Sequence, residues 1–104
     1  MTAYKQVFTA LIGLSAMAAF SGTTVAADAK KGKEVFERIC AECHGPMGEG
    51  DKGPPLVPLL HQPDGMIAIA RAGKGEMPPW PRATVSDDEI RIVAAYLKSL
   101  GDGS

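Results

Sequence analysis

Aromatic side chains are scarce in this chain. Of its 104 residues only 6% are aromatic, namely three Phe, two Tyr and one Trp. Half of them fall within residues 1–27, so residues 28–104 keep only Phe36, Trp80 and Tyr96. A domain below about 70–80 residues rarely has a core worth more than a few kcal/mol unless something staples it. The core of residues 28–104 is therefore thin and needs some further element to stabilise it.

Acidic side chains are missing from residues 1–27, where Lys5 is the only charge. An uncharged apolar run over 7–20 is followed by a small-residue stretch that ends at Ala27, as in a secretory leader with its cleavage site. We therefore predict a signal peptide over 1–27, one domain over 28–104, and export to a bacterial periplasm. Retention as an N-terminal anchor is the alternative. The run is shorter than the about 20 residues of a membrane span, so we expect no stable membrane insertion after cleavage.

The chain has no excess of basic residues. Its 11 Lys and Arg are matched by 12 Asp and Glu, for a net charge of −1. Nucleic-acid binding needs a basic stripe or patch, and the short Lys30–Lys33 cluster suits a solvated helix start equally well. We therefore expect no nucleic-acid partner.

Hydrophobic spacing predicts a mostly α-helical domain. Apolar residues recur at three-to-four spacing over 28–43, which predicts a helix there. All eight prolines lie between Gly45 and Pro81, which predicts loops and turns interrupted by one short helix over 64–72. Ser86 and Glu89 form a capping box at the start of a third helix, which Gly101 ends.

The motif Cys40-Ala41-Glu42-Cys43-His44 is the strongest chemical signal. Residues three apart on a helix share a face, so both thiols can meet one planar ligand. The C-x-x-C-H pattern is typical of covalent haem c attachment, with His44 as the proximal ligand of the iron. Two alternatives use the same residues: a Cys40–Cys43 redox disulfide, and a zinc site completed by His61.

The second axial ligand of such an iron decides the function. The candidates are Met47, Met66, Met77 and His61. We favour Met77, because the prolines that follow it stiffen the backbone and fix where its sulfur points; a gap-filling methionine in a surface turn is the alternative. Ligation by Met and His closes both axial positions and raises the reduction potential, which suits electron transfer.

Residues 28–104 resemble the class I c-type cytochromes, in particular the small bacterial monohaem subgroup. The resemblance rests on the haem motif, on Gly32 and Phe36, on Gly53-Pro54-Pro55-Leu56, on Met77-Pro78, and on residues 93–98. It implies a cytochrome c fold, in which N- and C-terminal helices cross at Gly32 and a short middle helix and long loops wrap one covalent haem c.

The same resemblance implies a role for Pro54. The Pro54 carbonyl would accept the proton of the non-ligating nitrogen of His44. Trp80 would either donate its indole N–H to a haem propionate or cover the haem edge as apolar bulk, and we favour packing.

The function that follows is a periplasmic electron carrier, not an enzyme, which docks transiently with redox donors and acceptors at its haem edge. Two alternatives stay open. One is a dedicated haem subunit or maturation partner of a nitrite reductase, suggested by residues 77–80. The other is an open-site haem sensor or enzyme, if Met77 does not bind iron.

Overall fold

The computed structural model describes residues 20–101, so most of the predicted signal peptide at 1–27 lies outside the described residues. The described chain forms four helices: α1 (Phe20–Ile39), α2 (Ala41–His44), α3 (Pro63–Ala72) and α4 (Asp87–Leu100). Within residues 20–101 there is no β-strand, only an isolated bridge between Lys74 and Met77. The predicted mostly α fold class, with long loops around a short middle helix, is confirmed.

The prediction of one helix over 28–43 is wrong at both ends. Helix α1 already includes residues 20–27 and ends at Ile39, and α2 starts as a separate turn after Cys40. The Cys40 carbonyl accepts the N–H groups of both Cys43 and His44, which tightens the chain into its own turn. The apolar spacing continues across this break, so periodicity alone does not reveal it.

Helices α1 and α4 cross in direct backbone contact at Gly32. A Cβ atom added to Gly32 would lie 2.3 Å from the carbonyl oxygen of Ile92 and 3.0 Å from Cβ of Tyr96. One turn further along α1, the rings of Phe36 and Tyr96 meet at 5.7 Å with an interplanar angle of 49°, a tilted geometry that aromatic pairs favour. The crossing at Gly32 implied by the resemblance is therefore present.

The core lies between α1, α3 and α4 and holds few large side chains. Phe36 and Leu97 are the largest fully buried ones. The other buried apolar residues are Val35, Leu59, Ile67, Ala70, Val85, Ile90, Val93, Ala94 and Tyr96. Within the described part of the chain, no helix combines the length and apolar character needed to cross a membrane.

The N-terminus of α4 is fixed by the predicted capping box. The Glu89 N–H donates to the Ser86 hydroxyl at 3.0 Å, and the Ser86 N–H donates to the Glu89 carboxylate at 2.9 Å. The bond from the Ser86 backbone is the main reason that the pKa of Glu89 is lowered. The box sets where α4 begins, and with it the end of the loop that follows α3.

We predict that Gly32→Ala lowers the free energy of unfolding by about 1–3 kcal/mol, because the new methyl group forces α1 and α4 apart. Chemical denaturation measures this effect. Gly65→Ala is the matched control, since nothing lies within 4 Å of its added Cβ, and it should be neutral or stabilising by up to about 1 kcal/mol. Equal unfolding midpoints for Gly32→Ala and the parent chain would contradict the close crossing.

Candidate functional site

Cys40 and Cys43 lie on one helical turn and present two free thiols. The Cys40 carbonyl accepts the Cys43 N–H at 3.2 Å and the His44 N–H at 3.0 Å, which holds the three residues together. Cys40 is half-buried and packs against the core, whereas Cys43 is exposed. Burial raises the pKa of the Cys40 thiol to about 11, so this thiol is protonated and uncharged at neutral pH.

The His44 imidazole is oriented by a hydrogen bond to the backbone. Its Nδ1 lies 2.7 Å from the carbonyl oxygen of Pro54. Because a carbonyl only accepts, Nδ1 carries a proton, and in the neutral imidazole Nε2 keeps a free lone pair. A histidine that donates from one nitrogen in this way presents the other as a metal ligand of fixed direction.

The loop beneath His44 has room for the imidazole because Gly53 has no side chain. A Cβ atom there would lie 2.9 Å from Cε1 and 3.1 Å from Nδ1 of His44. Two backbone bonds tie the loop to the motif: Gly53 N–H to the Cys43 carbonyl at 2.6 Å, and Gly50 N–H to the His44 carbonyl at 2.7 Å. These bonds hold the Pro54 carbonyl within hydrogen-bonding distance of the His44 ring.

The same loop is anchored to the far end of α4. The Gly48 carbonyl accepts the N–H groups of Leu56 and Val57, at 2.8 and 3.0 Å, which closes the loop on itself. Beyond it, the Leu59 N–H donates to the Gly101 carbonyl, just after α4, at 2.7 Å. The His44 side of the site therefore rests on the C-terminus of α4.

Met77 lies in a second, separately closed loop between α3 and α4. Its N–H donates to the Lys74 carbonyl at 2.9 Å, and the Lys74 N–H donates back at 3.1 Å. Gly73, at φ +78°, lies so close beneath that an added Cβ would be 2.8 Å from the Met77 carbonyl oxygen. The Trp80 N–H then returns to the Ala70 carbonyl at 2.7 Å and closes the base of the loop. Met77 itself is half-buried.

Arg71, in the last turn of α3, is a residue that sequence reasoning missed. Its guanidinium donates to the Trp80 carbonyl at 3.0 Å and to the Asp87 carboxylate at 2.5 Å. The bond from Arg71 is the main reason that the pKa of Asp87 is lowered, with the charges of Arg82 and Arg91 adding to it. The only signal in the sequence is a basic residue at a helix C-terminus, and the helix dipole explains that equally well.

The other candidate residues have more ordinary surroundings. Trp80 is half-buried and packs against the core, so its indole stays a predicted haem cover with propionate bonding as the alternative. Met66 also packs against the core, Met47 is 53% exposed, and His61 is exposed. Among residues 20–101, no three Cys, His, Asp or Glu side chains are gathered as for a metal ion. The described structure thus does not bring His61 into a zinc site with the cysteines.

The residues present fit a haem group on three counts. Two free thiols lie on one turn, next to an imidazole whose Nε2 is unengaged, as thioether attachment with axial ligation requires. The space beside that imidazole depends on a glycine. In addition, Nε of Arg71 is buried and has no partner among the described residues, so it suits an acidic group such as a haem carboxylate.

Comparison with known proteins finds one matching family and several related proteins. Residues 27–97 match the family described as cytochrome C oxidase, cbb3-type, subunit III. The chain is similar to a cytochrome c-553-like protein of Synechocystis, at 32% identity over 70% of each chain. Cytochrome c-551 of Bacillus subtilis is 32% identical over 74% of this chain and 68% of its own. Cytochrome c6 of Tetradesmus obliquus is 35% identical over 74% and 96%. No solved structure matches the chain.

We predict that Gly53→Ala destabilises the protein by about 1–3 kcal/mol, because the new methyl group overlaps the His44 ring and must displace the ring or the loop. Thermal unfolding of the purified protein measures the loss, and Gly65→Ala again serves as the control with open space around it. If Gly53→Ala unfolded like the control, the loop would not be the support of the imidazole.

Acidification should weaken the Arg71–Asp87 pair. The pKa of Asp87 is lower in the folded state than its ordinary value of 3.8, so the stabilisation is present above that value and is lost as the pH falls through the folded pKa. We expect the stability difference between the parent chain and Asp87→Asn to be constant above about pH 5 and to shrink below about pH 4. Urea titrations at a series of pH values measure it, and a difference independent of pH would contradict the pairing.

Proposed function

The chain belongs to the small class I, monohaem c-type cytochromes, and on that premise we propose that it carries single electrons in the periplasm through a haem c held between His44 and Met77. Three of the relatives are small c-type cytochromes by name, which supports an electron-carrier haem c protein. The single observation that carries the proposal furthest is the 2.7 Å bond from His44 Nδ1 to the Pro54 carbonyl, because it prepares Nε2 as an iron ligand.

Haem, when bound, supplies the one-electron redox chemistry, and the chain supplies attachment, orientation and exclusion of water. Cys40 and Cys43 hold the group covalently from one turn. Pro54 fixes the ring of His44 and, by accepting a hydrogen bond from Nδ1, raises the basicity of Nε2, the nitrogen that would bind iron. Bound haem would be attached through Cys40, which is half-buried against the core, and through Cys43, which is exposed.

Met77 as the second ligand is supported by the construction of its loop. Reciprocal backbone bonds with Lys74 and the close approach of Gly73 fix the backbone at Met77, and Pro78 and Pro79 restrict it immediately afterwards. A thioether held in this way would complete the ligation of the iron and would favour its reduced state. Such a centre passes electrons and does not bind oxygen or a substrate at the metal.

Contact with redox partners is proposed at the exposed edge beside Cys43. Met47 lies close along the chain and is 53% exposed, so this margin offers apolar surface around the proposed haem edge. Interfaces of electron-transfer partners are small, below about 1,200 Å² in total. Residues 28–104 hold 10 basic and 12 acidic side chains, and their net charge of −2 provides little long-range steering. We therefore expect the shape and chemistry of the contact surface to determine the partners.

Export to the periplasm and the boundary between residues 1–27 and 28–104 remain proposals. They are supported by the uncharged run and small-residue site of the leader. The family match starts at residue 27, where the predicted leader ends.

A second candidate function is a haem subunit of a larger oxidase or reductase. The matched family is described as a subunit of a cbb3-type oxidase, which favours this candidate in a way that residues 77–80 alone do not favour a nitrite reductase. Affinity purification of the exported protein under mild conditions separates the two functions. Stable recovery with one multisubunit enzyme supports the subunit, and recovery as a free protein that reduces several acceptors supports the carrier.

We predict that Met77→Leu keeps the haem attached but removes the weak far-red absorption band by which a thioether on oxidised haem iron is recognised. Leucine keeps the volume of the side chain but offers no sulfur, so the reduction potential should fall. Absorption spectra, a haem stain on a denaturing gel and a redox titration measure these effects. Met66→Leu is the matched control, because Met66 packs against the core, and it should keep both the band and the potential.

Two results would contradict the proposal. Absence of attached haem on the gel would remove the role of Cys40 and Cys43. Absence of the far-red band in the parent protein, together with rapid carbon monoxide binding to the reduced form, would favour an open iron and therefore a sensor or enzyme.

A further inference from the structure

Arg71 connects three parts of the molecule through one side chain. From the last turn of α3 it donates one N–H to the Trp80 carbonyl and another to the Asp87 carboxylate. Trp80 closes the base of the loop that carries Met77, and Asp87 is the first residue of α4. The guanidinium thus lies where the Met77 loop passes into the C-terminal helix.

Among the described residues, no other side chain bonds a backbone carbonyl between Met77 and Pro81. The remaining closures of this loop are bonds within its own backbone and one bond back to Ala70. Arg82 also approaches Asp87, at 3.5 Å, but its side chain is 70% exposed and bonds no loop carbonyl. Arg71 is therefore the side chain that ties the loop to α4.

The burial of this pair strengthens it. The Arg71 side chain is only 17% exposed and that of Asp87 is 35% exposed, so solvent screens their attraction less than it screens a surface pair. A guanidinium is planar and rigid and can serve two acceptors at fixed angles, whereas the ammonium of a lysine is a point charge without that geometry. The fork, and not the charge alone, matches the two acceptors.

We propose that Arg71 is a positioning residue for the Met77 loop, holding the loop closed on α4 and thereby limiting how readily Met77 leaves the iron. This inference rests on the proposed ligation by Met77. It does not require Arg71 to touch the haem, since its effect passes through the Trp80 carbonyl and Asp87. Asp87→Asn weakens this link while leaving in place the Nε of Arg71 that suits a haem carboxylate.

The test measures binding of imidazole to the oxidised, haem-loaded protein, because imidazole reaches the iron only when the loop opens. For Arg71→Gln we expect the dissociation constant to fall about tenfold, the size of effect that one charge-assisted hydrogen bond supports. Arg71→Lys keeps the charge but not the fork and should behave like Arg71→Gln. Arg82→Gln removes a neighbouring guanidinium and should stay within about twofold of the parent protein.

A general loss of stability also opens loops, so a control for stability is needed. Ser86→Ala removes the side-chain bond that caps α4 but none of the backbone bonds that close the Met77 segment at Lys74, Met77 and Trp80. Its unfolding midpoint and its imidazole binding are measured beside those of the Arg71 variants. At equal loss of stability, Arg71→Gln should bind imidazole more tightly than Ser86→Ala, and its far-red band should be weaker before any imidazole is added.

Each alternative outcome is decisive. If Arg71→Lys binds imidazole like the parent protein, the two-acceptor geometry of the guanidinium is not needed and only its positive charge matters. If Ser86→Ala and Arg71→Gln bind imidazole equally well at equal loss of stability, Arg71 does not position the Met77 loop and acts only through general stability. If Arg71→Gln fails to accumulate, Asp87→Asn weakens the same link with almost no change of shape, and imidazole binding unchanged from the parent overturns the proposal. A parent protein without the far-red band overturns the ligation by Met77 instead, so the two failures are distinguishable.

Discussion

The approach of α1 to α4 at Gly32 is the contact on which the rest of the structure depends. With a Cβ atom placed only 2.3 Å from the Ile92 carbonyl, no other residue lets the two backbones meet at this distance. Phe36 and Tyr96 pack together one turn further on because the helices are so close. In a domain with so few large side chains, this crossing fixes α1 relative to α4, and the cysteine-histidine turn at the end of α1 is fixed with it.

The small hydrophobic core and the candidate haem site depend on each other. Phe36 and Leu97 are the only large side chains that are fully buried among the described residues, and Trp80, Met66 and Cys40 cover the cluster without being enclosed. A covalently attached haem would bring a large apolar body to residues that are otherwise half-buried. Attachment from one turn then contributes to the stability of the fold as well as to its chemistry.

Local signals predicted what depends on local structure. The capping box at Ser86, the stop at Gly101 and the short helix before Gly73 are written in neighbouring residues and are present. The break at Cys40 was missed, because the apolar spacing runs through it. The backbone bonding, in contrast, starts a new turn there, with the Cys40 carbonyl accepting the N–H groups of Cys43 and His44. Arg71 was missed for the opposite reason, since its partners lie nine and sixteen residues away and only the tertiary fold brings them together.

Helix α4 supports both loops of the site, one at each end. Its first residue, Asp87, holds the Met77 loop through Arg71, and the Gly101 carbonyl just beyond it holds the segment that follows Pro54. The loops that position the two proposed iron ligands are therefore both attached to one helix, α4. When an iron centre changes its charge, the barrier to electron transfer includes the cost of moving its ligands. Attachment of both loops to the same helix limits that movement and favours a low reorganisation energy.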